Sequence, residues 1–459
     1  MPKIQSFKLI KILAVAVSSL LLIACNSAQR VEPGLYVFEN VNVIPMDRER
    51  VLRNQSVIVR DGRIQTIQPV GLDHPEGATV IEGSNRYLMP GLAEMHGHVP
   101  GDENPQYTED VLFLYISNGV TLVRGMAGNP YHVELREKLA SGELDGPTLY
   151  AAGPWLGPHN AGSEEQVRNT VREHHQIGFD LLKVGNLPAE QYPPMVEEAQ
   201  RVGIPFGGHI PSRVPLEQAL DAGQASIDHL DRYVEFLAAE NVDLTETETG
   251  FFGSALVDHV DMDRLQEAVE LTVEAGTWNV PTLSLVEHLA SEEPAESMAE
   301  WPEMRYLPRD VIDNWVEAKR NFQEREYFQP EAARRLVQIR QDILMALHDG
   351  GAPIALGSDA PQFFNVPGFS IHHEMAMMVA AGMTPYEVLV TGTRNVAHYF
   401  DAEGEFGRVE PGYRADLILL EANPLDDIGL VRQRAGVMVR GQWFSEREIQ
   451  DRLEEIGAR

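Results

Sequence analysis

What most constrains this chain is the alternation, through its middle, of short apolar runs with helix-like stretches. The runs at 88–95, 120–124, 148–153, 181–184, 205–208, 226–228, 280–285 and 354–357 read as strands, and 164–177, 193–202 and 215–221 carry helical spacing. Strands separated by helical crossovers pair in parallel. Eight of them favour an α/β fold of the closed (β/α)8 TIM-barrel type over an open doubly wound sheet. The 459 residues suit such a barrel with an accessory domain, and roughly three quarters of the extended-chain surface would be buried. The last two crossovers are long, and 291–342, rich in Glu and Pro and containing Trp301 and Trp315, predicts helices over the barrel mouth.

Both ends of the chain have a different pattern. Residues 35–81 hold β-branched, alternating stretches, with Asp61-Gly62 as a hairpin turn signal, and comparable stretches recur at 415–420 and 436–441. Two β segments bracketing a long insertion predict one small sheet domain assembled from both termini. The extreme N-terminus reads as an export signal: Lys3, Lys8 and Lys11 precede an apolar run from 12 to 23, too short to span a membrane comfortably. The run ends in Leu22-Ile23-Ala24-Cys25, which resembles a bacterial lipobox. That resemblance implies lipidation of Cys25, and Asn26 in place of Asp leans toward the outer membrane, on its periplasmic side. Cys25 is the only cysteine, so no disulfide forms within the chain. The net charge of −32 argues against nucleic acid, whose phosphates need clustered Lys and Arg.

Chemistry concentrates at the strand ends, where barrels of this kind carry their active sites. His96-Gly97-His98 closes the first strand, and side chains two apart on a strand share a face. Lys183 stands at the end of the fourth strand, His209 at the fifth, His229 at the sixth and Asp359 at the eighth. Singly, each has an ordinary structural explanation; together, in barrel order, they predict a metal centre.

The set His-x-His, Lys, His, His, Asp resembles the amidohydrolase superfamily, within it the imidazolonepropionase-like and prolidase-like branch. Met89-Pro90-Gly91-Leu92, Gly357-Ser358-Asp359-Ala360, and the segment from Gly404 through Gly407 to Asp416-Leu417-Ile418 carry the same resemblance. It implies a small β-sandwich built from the terminal segments. The resulting division is a lipoprotein signal peptide at 1–25, sandwich at 26–84, barrel at 85–400, and sandwich with tail at 401–459. It further implies two divalent ions, zinc first and manganese or cobalt as alternatives. His96, His98 and Asp359 would hold one ion, His209 and His229 the other, with Lys183 bridging as a carbamate formed from carbon dioxide. Two ions about 3.5–4 Å apart lower the pKa of a shared water from 15.7 toward about 7. Asp359 would act as general base and then acid in hydrolysis of an amide, dipeptide-like or cyclic amide C–N bond.

Other residues are less defined. His159 in Gly157-Pro158-His159-Asn160, Arg213 past His209, and Arg124 at the end of the second strand are candidate substrate contacts. His372-His373-Glu374, on a loop entering a helix, fits a supporting role. Two alternatives stay open at this stage: a one-metal ring hydrolase or deaminase with Lys183 as a plain cation, and a lipoprotein that binds a ligand without turnover. The partner expected is a small amide molecule, with membrane contact only through the lipid on Cys25. The pattern has no signature of an oligomeric state.

Overall fold

A computed structural model describes residues 34–459, except Thr245, Glu248 and Tyr327. The export signal and Cys25 lie outside the described residues. Among these, no helix is long and apolar enough to cross a membrane.

The two terminal β segments are joined in one hydrogen-bonded sheet. From the N-terminal side come β1 (Leu35–Val43), β2 (Leu52–Arg60), β3 (Arg63–Pro69), β4 (Thr79–Glu82) and β5 (Tyr87–Pro90). Arg60 pairs with Arg63 across Asp61-Gly62, whose φ values of 50° and 76° are the left-handed pair that a two-residue hairpin of matching twist requires. The C-terminal strands at Leu417–Leu420, Arg434–Val439 and Gln442–Ser445 join through antiparallel pairing of Leu417–Leu420 with β5. An isolated bridge between Arg63 and Arg414 brings the far edge back to the C-terminal segment. Phe38, Val57, Ile64, Leu88, Leu417 and Met438 fill the resulting core. A helix at Glu446–Gly457, started by a capping box of Ser445 and Glu448, closes the chain.

The middle is TIM-barrel-like. Strands β6 (Leu92–Gly97), β7 (Val120–Gly125) and β8 (Thr148–Ala151) pair in parallel, as do β9 (Leu182–Val184), β10 (Phe206–Gly208), β11 (Ser226–Asp228) and β12 (Trp278–Val280). Isolated parallel bridges Ala152 to Leu181, Asn279 to Ile354 and Gly97 to Ala360 link these sheets with each other and with the segment after residue 353.

Four expectations need correction, the first being the run at 354–357, where no strand forms and Ile354 alone bridges to Asn279. The run at 88–95 is two strands broken at Gly91, because β5 belongs to the terminal sheet and β6 to the parallel one. The run at 280–285 is strand only to Val280; Leu283–Ala290 is helical, and its apolar composition reflects a helix buried on nearly every side. His372, His373 and Glu374 sit in the first turns of the helix Ser370–Ala381, not on a loop. The stretch 291–342 is helical over Ala295–Met298, Arg309–Gln323 and the start of Pro330–Gly350, with a 3-10 turn at Pro302–Tyr306.

Candidate metal centre

His96 is the penultimate residue of β6, all of whose residues are buried, and His98 follows one residue beyond the strand. Gly97 between them is tightly enclosed: a Cβ there would lie 2.8 Å from the Tyr115 hydroxyl and 2.9 Å from Val123. Backbone hydrogen bonds from Asp359 N to the His96 carbonyl (2.9 Å) and from His98 N to the Ala360 carbonyl (2.7 Å) fasten the eighth strand position to the first. Glu94 reinforces that seam: its carboxylate accepts from His96 N at 3.0 Å, Ser358 N at 2.8 Å and Ser358 Oγ at 2.5 Å. Burial pushes the Glu94 carboxyl up to about 8.

The six expected side chains come together. Lys183 Nζ is 3.0 Å from His96 Nε2. Asp359 Oδ1 is 2.9 Å from His98 Nε2 and 3.6 Å from His96 Nε2, and its Oδ2 is 3.8 Å from His229 Nδ1. The His209 and His229 rings stack at 4.6 Å. Gly208 lets Lys183 pass: its φ is 111°, and a Cβ would meet Lys183 Cδ at 2.8 Å. His229 and Asp359 themselves have φ of 62° and 65°, a conformation costing about 1–3 kcal/mol that the packing must hold.

Exposure divides the group. The side chains of His96, His229 and Asp359 are at most 4% exposed, whereas His98 keeps 24% and His209 36%, so the open side of the site lies toward those two. Burial, then the Lys183 charge, keeps His96 far below the ordinary imidazole range; burial, then the neighbouring His96, does the same for His229. Both are neutral, as ligation requires. Burial also lowers Lys183, against the pull of Asp228 and Asp359. A deprotonated amine is the form that reacts with carbon dioxide.

The donor set fits a divalent ion. One nitrogen each from His96 and His98 and one oxygen of Asp359 lie within 4.8 Å of one another. His98 Nε2, His229 Nε2 and Asp359 Oδ1 are buried without a hydrogen-bond partner. His98 and Asp359 approach to 2.9 Å without an aligned hydrogen bond, as two ligands of one centre do. Unpaired buried polar atoms are costly, and cations held here would satisfy them.

The remaining candidates have other partners. His159 is exposed beside Trp155, with ring centroids 5.0 Å apart. Arg213 is exposed and lines a cavity of about 410 Å³ with Arg232, Phe236 and Leu244. Arg124 is fully buried, its guanidinium hydrogen-bonded to Asp228, Ser226, Tyr399 and the Met95 carbonyl, which leaves no N–H for a substrate. The sequence reading missed the groups around the histidines. His209 Nδ1 meets Asp231 at 2.8 Å, His229 Nδ1 meets Thr282 at 2.8 Å, and the buried Arg340 donates to the His229 carbonyl. Glu94 had a signal, being a carboxylate inside an apolar strand, and Asp228 a weaker one at the end of a short strand beside His229; Thr282 and Arg340 had none. Glu374 accepts from Leu283 N and Ser284 N, both at 2.8 Å, and so starts the helix after β12.

A TIM-barrel-like fold with this group at its strand ends defines the class, a hydrolase equipped to hold metal. Residues 87–444 match the amidohydrolase family, and the chain belongs to it. Ochratoxinase of Aspergillus niger is 24% identical over 86% of this chain and 83% of its own length. Imidazolonepropionase of Rubrobacter xylanophilus is 25% identical over 80% and 84%. The solved structure of a Xaa-Pro dipeptidase with bound methionine superposes with a TM-score of 0.64 at 20% identity, covering 90% of this chain and 100% of that one. The protein is a hydrolase acting on carbon–nitrogen bonds, and the reading as a ligand binder without turnover falls away.

Proposed function

We propose that the protein hydrolyses the C–N bond of a small amide, dipeptide-like or cyclic amide, with Asp359 moving the proton. The observation that carries this is the carboxylate of Asp359: buried, with Oδ1 unpaired and set between His96 and His98 while Oδ2 faces His229. His96, His98 and Asp359 would hold one divalent ion, His209 and His229 a second, with Lys183 shared as its carbamate. Zinc is the first choice, then manganese or cobalt. Ions bound there supply Lewis acidity toward a carbonyl and toward water. Asp359 takes a proton as water adds to the carbonyl carbon, then gives it to the leaving nitrogen as the C–N bond breaks. The products are a carboxylate and an amine. Phe252 stands 5.3 Å from the His229 ring, with Phe251 and Phe363 behind it, so the reading includes an apolar group beside the scissile amide.

One specific observation favours a second reading. The only group of potential ligand atoms that converges within 4.8 Å among the described residues is His96, His98 and Asp359. A one-metal ring hydrolase would use that triad alone. Metal content per chain separates the two.

The reading of the architecture is a closed (β/α)8 barrel, supported by the three linking bridges, beside a β-sandwich, supported by the folded terminal sheet. The boundaries expected from the sequence, 26–84 and 401–459 for the sandwich and 85–400 for the barrel, shift at the first junction, because Tyr87–Pro90 pairs within the terminal sheet and belongs with the sandwich. Export and lipidation at Cys25 belong to the same proposal, and partitioning into membranes that Cys25→Ala abolishes would support them. The enzymatic test is amine release by the zinc-loaded full chain from dipeptides, N-acyl amino acids and cyclic amides. Turnover that a chelator abolishes is expected. Absence of turnover on every class with zinc demonstrably bound would overturn the proposal.

A further inference from the structure

Arg124, set aside above as a substrate contact, has two handles on His96. Its Nε donates to the carbonyl of Met95, the residue before His96, at 2.6 Å. Its Nη2 donates to both oxygens of Asp228 at 3.0 Å, and Asp228 Oδ2 lies 2.6 Å from His96 Nδ1. Ser226 Oγ donates to Asp228 Oδ1 at 2.8 Å, and Nη1 of Arg124 reaches Ser226 Oγ and the Tyr399 hydroxyl, each at 2.9 Å. Arg124 and Asp228 are both fully buried, so the carboxylate has nowhere else to turn.

The carboxylate on the far side of the ring bears on which nitrogen of His96 carries the hydrogen. Asp228 Oδ2, an acceptor, lies 2.6 Å from Nδ1 and favours the hydrogen there, which frees the Nε2 lone pair on the side where Lys183 Nζ stands 3.0 Å away. The contact between Asp228 Oδ2 and Nδ1 is close without being an aligned hydrogen bond. A carboxylate beside the far nitrogen of a ligating histidine fixes its tautomer and orientation, and removing such a partner costs metal affinity.

We propose that Asp228, clamped by Arg124 and braced by Ser226 and Tyr399, is a positioning residue that keeps the hydrogen of His96 on Nδ1 and presents Nε2 to the metal. The inference rests on the proposed role of His96 as a ligand. It assigns the buried Arg124–Asp228 pair to metal recruitment rather than to substrate binding or to packing alone.

The test is cobalt(II) titration of the full chain, followed by visible absorption, for the wild type, Asp228→Asn and Tyr399→Phe. Asp228→Asn is expected to weaken binding by about 10–100-fold. Tyr399→Phe, which leaves both charges in place, is expected to weaken it by a few-fold. Since unpairing a buried charge also destabilises the fold, ¹⁵N NMR of the metal-free wild type supplies an independent arm, with His96 expected as the Nδ1–H tautomer. Equal cobalt affinity in all three proteins, or an Nε2–H tautomer, would overturn the inference. A wild type that binds no cobalt at all would instead remove the metal reading on which it stands.

Discussion

Asp359 Oδ1 and His98 Nε2 stand 2.9 Å apart, buried, with no hydrogen bond satisfying either atom. That pairing puts a proton acceptor at the one point where His96, His98 and His229 also approach. Asp359→Asn keeps the shape and loses the base. Its kcat is expected to fall by about 10²–10⁴-fold, and a change smaller than tenfold would refute proton transfer by Asp359.

Lys183 separates the two-metal from the one-metal reading. Lys183→Met keeps the length of the buried chain and removes the amine. Bound zinc, measured by elemental analysis, is expected to drop from about two per chain to about one. Unchanged content would leave the amine of Lys183 outside the metal site.

Ligand binding and folding are linked, because the six residues come from strands far apart in sequence and meet only in the folded chain. Zinc at 100 times its dissociation constant should stabilise the protein by about 2.7 kcal/mol, lost on adding chelator. Urea midpoints that are the same with and without chelator would argue that no metal is held.

Acid should destabilise the fold over a defined window. Burial pushes His174 down to about 4; burial, then Arg432, does the same for His373. Between the ordinary value of 6.5 and about 4 the unfolded chain binds protons that the folded chain refuses. Stability therefore falls as pH drops through that range, by about 1.4 kcal/mol per unit for each histidine. His174→Gln should have a shallower loss between pH 6.5 and 4.5 in urea titrations, and an unchanged slope would exclude His174 as a contributor.

Phe252 adopts φ 53° beside the His229 ring, at the start of the Phe251–Leu256 turn. Phe252→Ala should raise KM for substrates with an apolar side chain by several-fold while leaving kcat within about threefold, since it removes binding made equally in the ground and transition states. Equal KM values for apolar and polar substrates in both proteins would rule out an apolar subsite there.

The parallel strands were legible because a strand buried on both faces leaves an apolar run whatever packs against it, as at Val120–Gly125. The positions of the proposed ligands stood out for the same reason: His209, His229 and Asp359 interrupt such runs at their ends. The helix Leu283–Ala290 misled because a fully buried helix and a buried strand leave the same short apolar signature. The capping box at Ser445 and Glu448 shows the reverse case, a local signal present and unused.

The sequence by itself determined the period of the fold and the identity of the groups at its strand ends, since both are local and depend on neighbours one to four residues away. Tertiary structure alone decided how those groups are held. Arg124 looked like a free cation at a strand end until Asp228, more than a hundred residues later, was found clamped against it, and Arg340 had no mark at all before its contact with His229. The physical reason is that a buried polar group takes its role from whichever partner the folded chain places within hydrogen-bond reach.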